Sequence, residues 1–305
     1  MYAQPLYFPG LTINGSTHNV VLAVTENNSA YALDADSSNV LWHVNFNHGP
    51  SGVTVTPVPA GDVSCNFISP MIGITSTPVI DSGSLTIYMV AKTKEVSSSG
   101  TNYFFRLHAL NVTNGQEKFG GPVAIQGSVA GSCGNTDGKG NIVFDPLIHN
   151  QRAGLLEVNG TVYLGFGSNC DVGAYSGWLI GYNASTLQQT SIFNTAPDGT
   201  GDCRAAIWQS GAGPGADASG NIFGIIANGN FDANSGGRNY GASFVKWNPG
   251  GSSVNDYFTP SNQSKLSRAD LDLGSGPLAS ADPAGPGAQS GGRGRQGADH
   301  LPAEP

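Results

Sequence analysis

Two short stretches place residues that can do chemistry close together. Asp232-Ala-Asn234-Ser-Gly236 sets oxygen ligands at alternate positions, like the start of a calcium-binding loop. It lacks the downstream bidentate glutamate such a loop needs, and the same residues equally serve an Asx turn, the preferred reading. Gly167-Ser-Asn-Cys170-Asp171 puts a thiol beside a carboxylate. A neighbouring negative charge raises a thiol's pKa and disfavours a reactive thiolate, so Cys170 reads as a disulfide partner or a buried thiol. The six histidines, His18, His43, His48, His108, His149 and His300, show no metal-ligand spacing. His43 and His108 fall on strand positions and read as surface or packed residues. No G-x-S-x-G nucleophile elbow occurs.

Composition narrows the field around these stretches. Charged residues make up 11% of the 305 positions, against about 25% in an average globular protein. With 44 glycines and many small polar residues, this suits a β-rich chain with many tight turns. The net charge of −8, with no basic run before the tail, argues against a nucleic-acid partner. No apolar stretch of about 18 residues exists, so no transmembrane helix is expected. MYAQPLYFPG is not a signal peptide. It reads as a strand met midway, so the natural start is expected to be missing. Cys65, Cys133, Cys170 and Cys203 form no zinc framework. They can make two disulfides in any of three connectivities or stay free. The low-charge composition suits a secreted or periplasmic protein. Sequons occur at Asn14, Asn27, Asn111, Asn159, Asn183 and Asn262, and chance accounts for most of them in so Asn/Ser/Thr-rich a chain.

The elements that must position any site repeat. YALDADSSNVLWHVNF (31–46), RLHALNVTNGQEKF (106–119), WLIGYNASTLQQTSIF (178–193) and SFVKWNPGGSSVNDYF (243–258) share one order. Apolar alternation leads to Asp or Asn, a short turn and a second strand. The Asp or Asn side chain can bond backbone amides two residues on and so start the turn. A strand precedes each phrase, and a shorter one precedes that. The unit is thus four strands, recurring over about 2–46, 74–125, 152–195 and 210–260. Its period exceeds the usual 40–50 or so residues of a propeller blade, and the excess lies in long polar loops at 49–73 and 126–150. Four-stranded antiparallel units in tandem predict an all-β fold, a β-propeller, over 1–276. A pair of β-sandwiches is the alternative.

The phrase YALDADSSNVLWHVNF resembles the blade motif of pyrroloquinoline-quinone-type propeller repeats, in which Ala-x-Asp leads into Thr-Gly and then Trp. Ala32, Asp34 and Trp42 stand in place, and Ser37-Ser38 replaces Thr-Gly. The second copy keeps Ala109, Asn111 and Thr113-Asn114-Gly115, with Phe119 for Trp. The third and fourth copies are weaker. The resemblance implies that Trp42 docks onto the next blade as a structural residue. It also implies a ring of seven or eight blades, so about four blades make an incomplete ring. After Gly276 the apolar alternation stops. Residues 277–305 read as a Gly/Pro/Ala-rich disordered tail or as the product of a shifted reading frame.

In a propeller the innermost strands line a central channel. Aligned on those strands, Tyr2, Thr75, Arg152 and Gly211 fall at equivalent places, with Gln4, Ser76, Asn150, Gln151, Trp208 and Gln209 beside them. The resemblance makes pyrroloquinoline quinone and calcium the cofactors to consider. Three carboxylates would need an arginine, amide and hydroxyl donors and an aromatic platform. Thr75, Asn150, Gln151, Arg152 and Trp208 are the candidate cofactor-binding residues, and Asp232 with Asn234 the calcium candidate. The competing reading has Arg152 capping backbone carbonyls and Trp208 packed as core. The chain lacks the adjacent cysteine pair of the alcohol dehydrogenases with this repeat. No calcium-plus-base set can be placed in it either. The leading expectation is therefore a binding or scaffold module for a protein or small-molecule ligand. The alternative is a fragment of a quinone-dependent dehydrogenase.

Overall fold

Strands form where branched and aromatic side chains alternate, and here the alternation is buried on both sides. The computed structural model describes residues 1–271 and 273–276, so the expected tail at 277–305 lies outside the described residues. Among the described residues four larger antiparallel sheets follow one another along the chain, with two two-stranded ones, Val58–Pro59 with Met71–Ile72 and Ser128–Ala130 with Asn141–Val143, in the long loops. The first runs Leu6–Ile13, Ser16–Val24, Ser29–Asp34 and Val40–Asn45 in simple up-and-down order. The second comprises Val79–Asp81, Thr86–Ser97, Gly100–Asn111 and Val123–Ala124, with Thr54–Thr56 added beside the far half of Thr86–Ser97. In the third, His149–Asn150 and Leu156–Val158 both pair with Thr161–Ser168, followed by Trp178–Asn183 and Gln189–Asn194. The fourth is Gly215–Ala216, Ile222–Ile226, Ser243–Trp247 and Val254–Phe258. The α-helix among the described residues is a single short one, Gln263–Arg268. The fold is all-β, with the tandem four-stranded sheets of a propeller-like arrangement.

Period-2 alternation explains how the sheets stack. In the second sheet Ile87, Met89 and Ala91 face the first sheet, in one core with Val20, Leu22, Val24 and Trp42. Tyr88 and Val90 face the other way, in a core with Val162, Leu164, Phe166 and Trp178 of the third sheet. The third sheet in turn sends Tyr163 and Leu179 into a core with Ile222, Val245 and Trp247 of the fourth. Burying each such aliphatic or aromatic side chain contributes about 1.5–3 kcal/mol, so the stack is held chiefly by these three cores.

The turn residue recurs at the same register in every sheet. Asp34 Oδ1 accepts the amides of Asp36 (3.0 Å) and Ser37 (2.7 Å). Asn111 accepts that of Thr113 (2.9 Å), Asn183 those of Ser185 and Thr186 (2.9 Å each), and Asn248 that of Ser252 (2.9 Å). These are the Asx turns the residue type predicts. The next residue has a second task, to present its carbonyl to the sheet before it. Trp42 Nε1 donates to the Val112 carbonyl at 2.8 Å, Tyr88 Oη to Ala184 at 2.8 Å, and Tyr163 Oη to Pro249 at 2.8 Å. Trp42 therefore does bridge to the following sheet. Gly115 fits under it because a Cβ there would stand 2.8 Å from the indole. One detail differs from the sequence reading. The strand expected directly after Gly115 makes only an isolated bridge, Leu110 to Glu117, and pairing resumes at Val123. Phe119 and Gly120 have left-handed backbones there, at φ 57° and 72°, which interrupts an extended run.

Candidate functional site

The inner segments of the second, third and fourth sheets meet. Leu155 N donates to the Thr77 carbonyl (3.0 Å), Gly211 N to Arg152 (3.1 Å), and Thr77 Oγ1 to Gly211 (2.9 Å). Gly154 sits within this contact, where a Cβ would come 3.1 Å from the Gly211 carbonyl oxygen. Beside the junction lies a cavity of about 260 Å³. Its walls include Asn150, Arg152, Trp208, Tyr2, Asp171 and the Cys65–Cys170 disulfide.

Each wall is held by a separate device. Asn150 closes a two-residue strand paired with Gly167. Trp208 lies flat on Gly167, where a Cβ would be 2.9 Å from the ring. The following turn is bent, with Gln209 at φ 37° and Ser210 at φ 31°. Two successive non-glycine residues in that region are costly, and such strain clusters at functional sites. The disulfide ties the 49–73 loop to the strand end at 168–170, and Val58, Val63, Ile68 and Ile72 form a small core of their own beneath it. The second disulfide, Cys133–Cys203, fastens the 126–150 loop. Cys170 is thus a disulfide partner.

The polar groups of the cavity divide into satisfied and unsatisfied. Asp171 accepts the Tyr175 hydroxyl and that of Ser168. Asp270, also in the lining, accepts from Asn228 Nδ2 at 2.8 Å. Burial, and next the bond to Asp171, push the Tyr175 hydroxyl's pKa far up, so it stays a donor. Asn150 is 5% exposed and its Oδ1 has no partner. Arg152 is half-buried and forms no ion pair among the described residues. Its guanidinium stands 5.5 Å from the centre of the Tyr2 ring.

Two candidate residues lie elsewhere. Thr75 Oγ1 donates to Glu26 Oε2 at 3.0 Å, beneath the cavity. Gln151 turns its Nε2 to the Ala153 carbonyl at 2.6 Å and is buried. Asp232 and Asn234 do not line the cavity either. The Asp232 carboxylate binds the amide (2.9 Å) and Nδ2 (2.6 Å) of Asn239, and Asn234 is exposed. Among the described residues no group of three His, Cys, Asp or Glu is placed to hold a metal ion.

A buried polar layer that sequence reasoning missed lies under the cavity. Glu26 accepts the Gly73 amide at 2.6 Å, and burial raises its carboxyl pKa. Lys92 is fully buried, donating to the His149 carbonyl at 2.9 Å, and burial pulls it down to about 7. His149 is held neutral by burial. Its Nδ1 bonds the Asp145 carbonyl (2.8 Å), which leaves Nε2 to accept from Trp178 Nε1 (3.0 Å). No local motif marks Glu26 or Lys92. Lys92 sits in the apolar run 87–92, and that placement was the one available signal.

A second cavity, about 380 Å³, opens between the first and second sheets. It is lined by Phe46, His48, Glu95, Arg106, His108 and Glu117, among others. His108 pairs with Glu117 at 2.5 Å and stacks on Phe46, and Arg106 pairs with Glu95.

No family model matches the sequence, and no curated protein matches it. Among solved structures, the chain resembles the quinohemoprotein alcohol dehydrogenase ADHIIG from Pseudomonas putida HK5 at 17% identity and a TM-score of 0.46, covering 84% of this chain and 34% of that one. A europium-containing methanol dehydrogenase is similar at 14% identity and a TM-score of 0.47, over 83% and 43% of the two chains. BamB from Moraxella catarrhalis is similar at 15% identity and a TM-score of 0.34, over 83% and 64%. This chain therefore spans less than half the length of either dehydrogenase.

Proposed function

We propose that this chain is a β-propeller module of the pyrroloquinoline-quinone-like repeat type whose role is binding, with the cavity at Trp208 as its ligand site. One observation carries the reading. Asn150 and Arg152 from one segment and Trp208 from another converge on one concave space in which a buried amide oxygen has no partner and a guanidinium no ion pair among the described residues. Convergent polar groups over an aromatic surface are what small-molecule sites are made of. The two disulfides favour an oxidising, secreted or periplasmic setting. The exposure of Tyr7 (59%) on the first sheet and Phe258 (63%) on the fourth supports a run of blades that does not close.

A fragment of a quinone-dependent dehydrogenase is the second reading. A disulfide, an indole and an arginine in one cavity favour it. The charges oppose it. A tricarboxylate would meet one cation, Arg152, and two carboxylates, Asp171 and Asp270. Calcium would have to offset this, and no group of three His, Cys, Asp or Glu among the described residues is placed to hold it. The residues present do not fit that cofactor, and no redox step is derived from them.

Ligand-observed NMR with a fragment library tests the binding reading. Fragments should bind the protein and lose their signal change in Trp208→Ala. Equal binding by that variant, or no binding at all, contradicts the proposal.

A further inference from the structure

We infer that the ligand of this cavity is a small monocarboxylate built on a single ring, with its carboxylate on Arg152 and its ring against Trp208. The inference rests on the binding reading above and adds the class of ligand. It starts from the charges. Three ionisable side chains, Arg152, Asp171 and Asp270, are among those lining the cavity. Both aspartates already accept hydrogen bonds, from Tyr175 and Ser168 and from Asn228. Arg152 forms no ion pair among the described residues, the buried Glu26 carboxylate acting on it only through space, and its guanidinium is steadied by the Tyr2 ring. A guanidinium held against an aromatic face keeps its N–H edge for a planar two-oxygen acceptor, and a carboxylate fits that fork with two parallel bonds.

The number of charges follows from the same groups. With a single cation in the lining and two carboxylates beside it, each negative charge beyond the one that Arg152 meets is repelled. A phosphate monoester carries close to two charges and three acceptor oxygens, and would leave oxygens facing Asp171 and Asp270. Size follows from the cavity. Its volume of about 260 Å³ lies just below the range of roughly 300–1,000 Å³ usual for drug-sized ligands, which leaves room for one ring. Trp208 is half-buried, so part of its indole remains open to the space and can take the flat face of an aromatic ring or the C–H face of a sugar ring. Asn150, with Oδ1 unpaired, supplies a polar group for a ring hydroxyl after a turn of its amide.

Isothermal titration of the full chain with paired probes tests this. The pairs are 4-hydroxybenzoate with 4-hydroxybenzyl alcohol, and D-glucuronate with D-glucose, with inorganic phosphate as a competitor. At least one acid should bind about tenfold or more tightly than its neutral partner, because a charge-assisted bidentate pair is lost in the alcohol. The pair that responds tells aromatic acids from sugar acids. Arg152→Gln should erase the preference for the acid, and Arg152→Lys should keep part of it. Asn150→Asp, which adds a negative charge without touching Arg152, should weaken the acid and spare the neutral partner, and it serves if Arg152→Gln fails to fold. Neutral partners binding as tightly as the acids, phosphate displacing them, or the preference surviving in Arg152→Gln would overturn the assignment while leaving a binding site in place. No binding by any probe or any fragment would overturn both.

Discussion

The two cavities differ less in size than in what their polar groups are doing. The larger one, between the first and second sheets, is lined by polar side chains that have found each other, His108 with Glu117 and Arg106 with Glu95. The smaller one keeps an unpaired arginine and an unpaired buried amide oxygen. A folded chain gains little by leaving such groups unmet, since an unsatisfied buried polar atom costs about 1–3 kcal/mol. The larger cavity thus reads as architecture with a gap in it. The smaller reads as a place prepared for something else.

The comparison breaks most sharply at the disulfide. Replacing Cys65 and Cys170 with serine should lower stability by about 2–4 kcal/mol, seen in urea unfolding. It should also abolish fragment binding at Trp208, because that wall of the cavity is released. The same loss from a substitution in the larger cavity would undo the distinction. Next in size is Glu117→Ala, which strips the partner from a His108 side chain only 4% exposed. A loss of about 1–3 kcal/mol is expected. Arg152→Ala removes no ion pair among the described residues and only a ring contact with the exposed Tyr2, so its stability should stay within about 1 kcal/mol of the parent. Equal destabilisation by both variants would mean that Arg152 is structural. Asn150→Ala should leave stability unchanged or raise it by up to about 1 kcal/mol while weakening ligand binding, the signature of a group kept for function.

The remaining effect is one of pH. Burial holds Lys92 down to about 7, against 10.5 for the unfolded chain. Between those values the unfolded state binds a proton that the folded state lacks, so this residue makes stability rise with pH across that window. Urea midpoints at about pH 7.5 and 9.5 should differ in that sense, and Lys92→Met should flatten the difference. A slope unchanged in the variant would show that Lys92 keeps its proton when folded.

What could be read from sequence was local. Asp34, Asn111, Asn183 and Asn248 betray their turns because an Asx side chain acts on amides two to four residues away. Trp42 could be assigned to a junction because its neighbours repeat. Aligning the inner segments singled out Asn150, Arg152 and Trp208, but it gave Thr75 and Gln151 the same standing. Only the rotation of those side chains into the Glu26 layer and the backbone separates them from the cavity. Long-range facts were out of reach. The Cys65–Cys170 pairing joins residues 105 positions apart, and three connectivities were equally allowed. The placement of the Tyr2 ring under Arg152 and the burial of Lys92 against the 147–149 carbonyls depend on how sheets stack, which no spacing encodes.

The most direct measurement is a crystal structure of the protein soaked with a mixture of small polar fragments. Density is expected against the Trp208 ring, within hydrogen-bonding reach of Arg152 and Asn150, and none among the paired side chains around His108. Fragments lodged beside His108 and Arg106, with the Trp208 cavity holding only water, would contradict it.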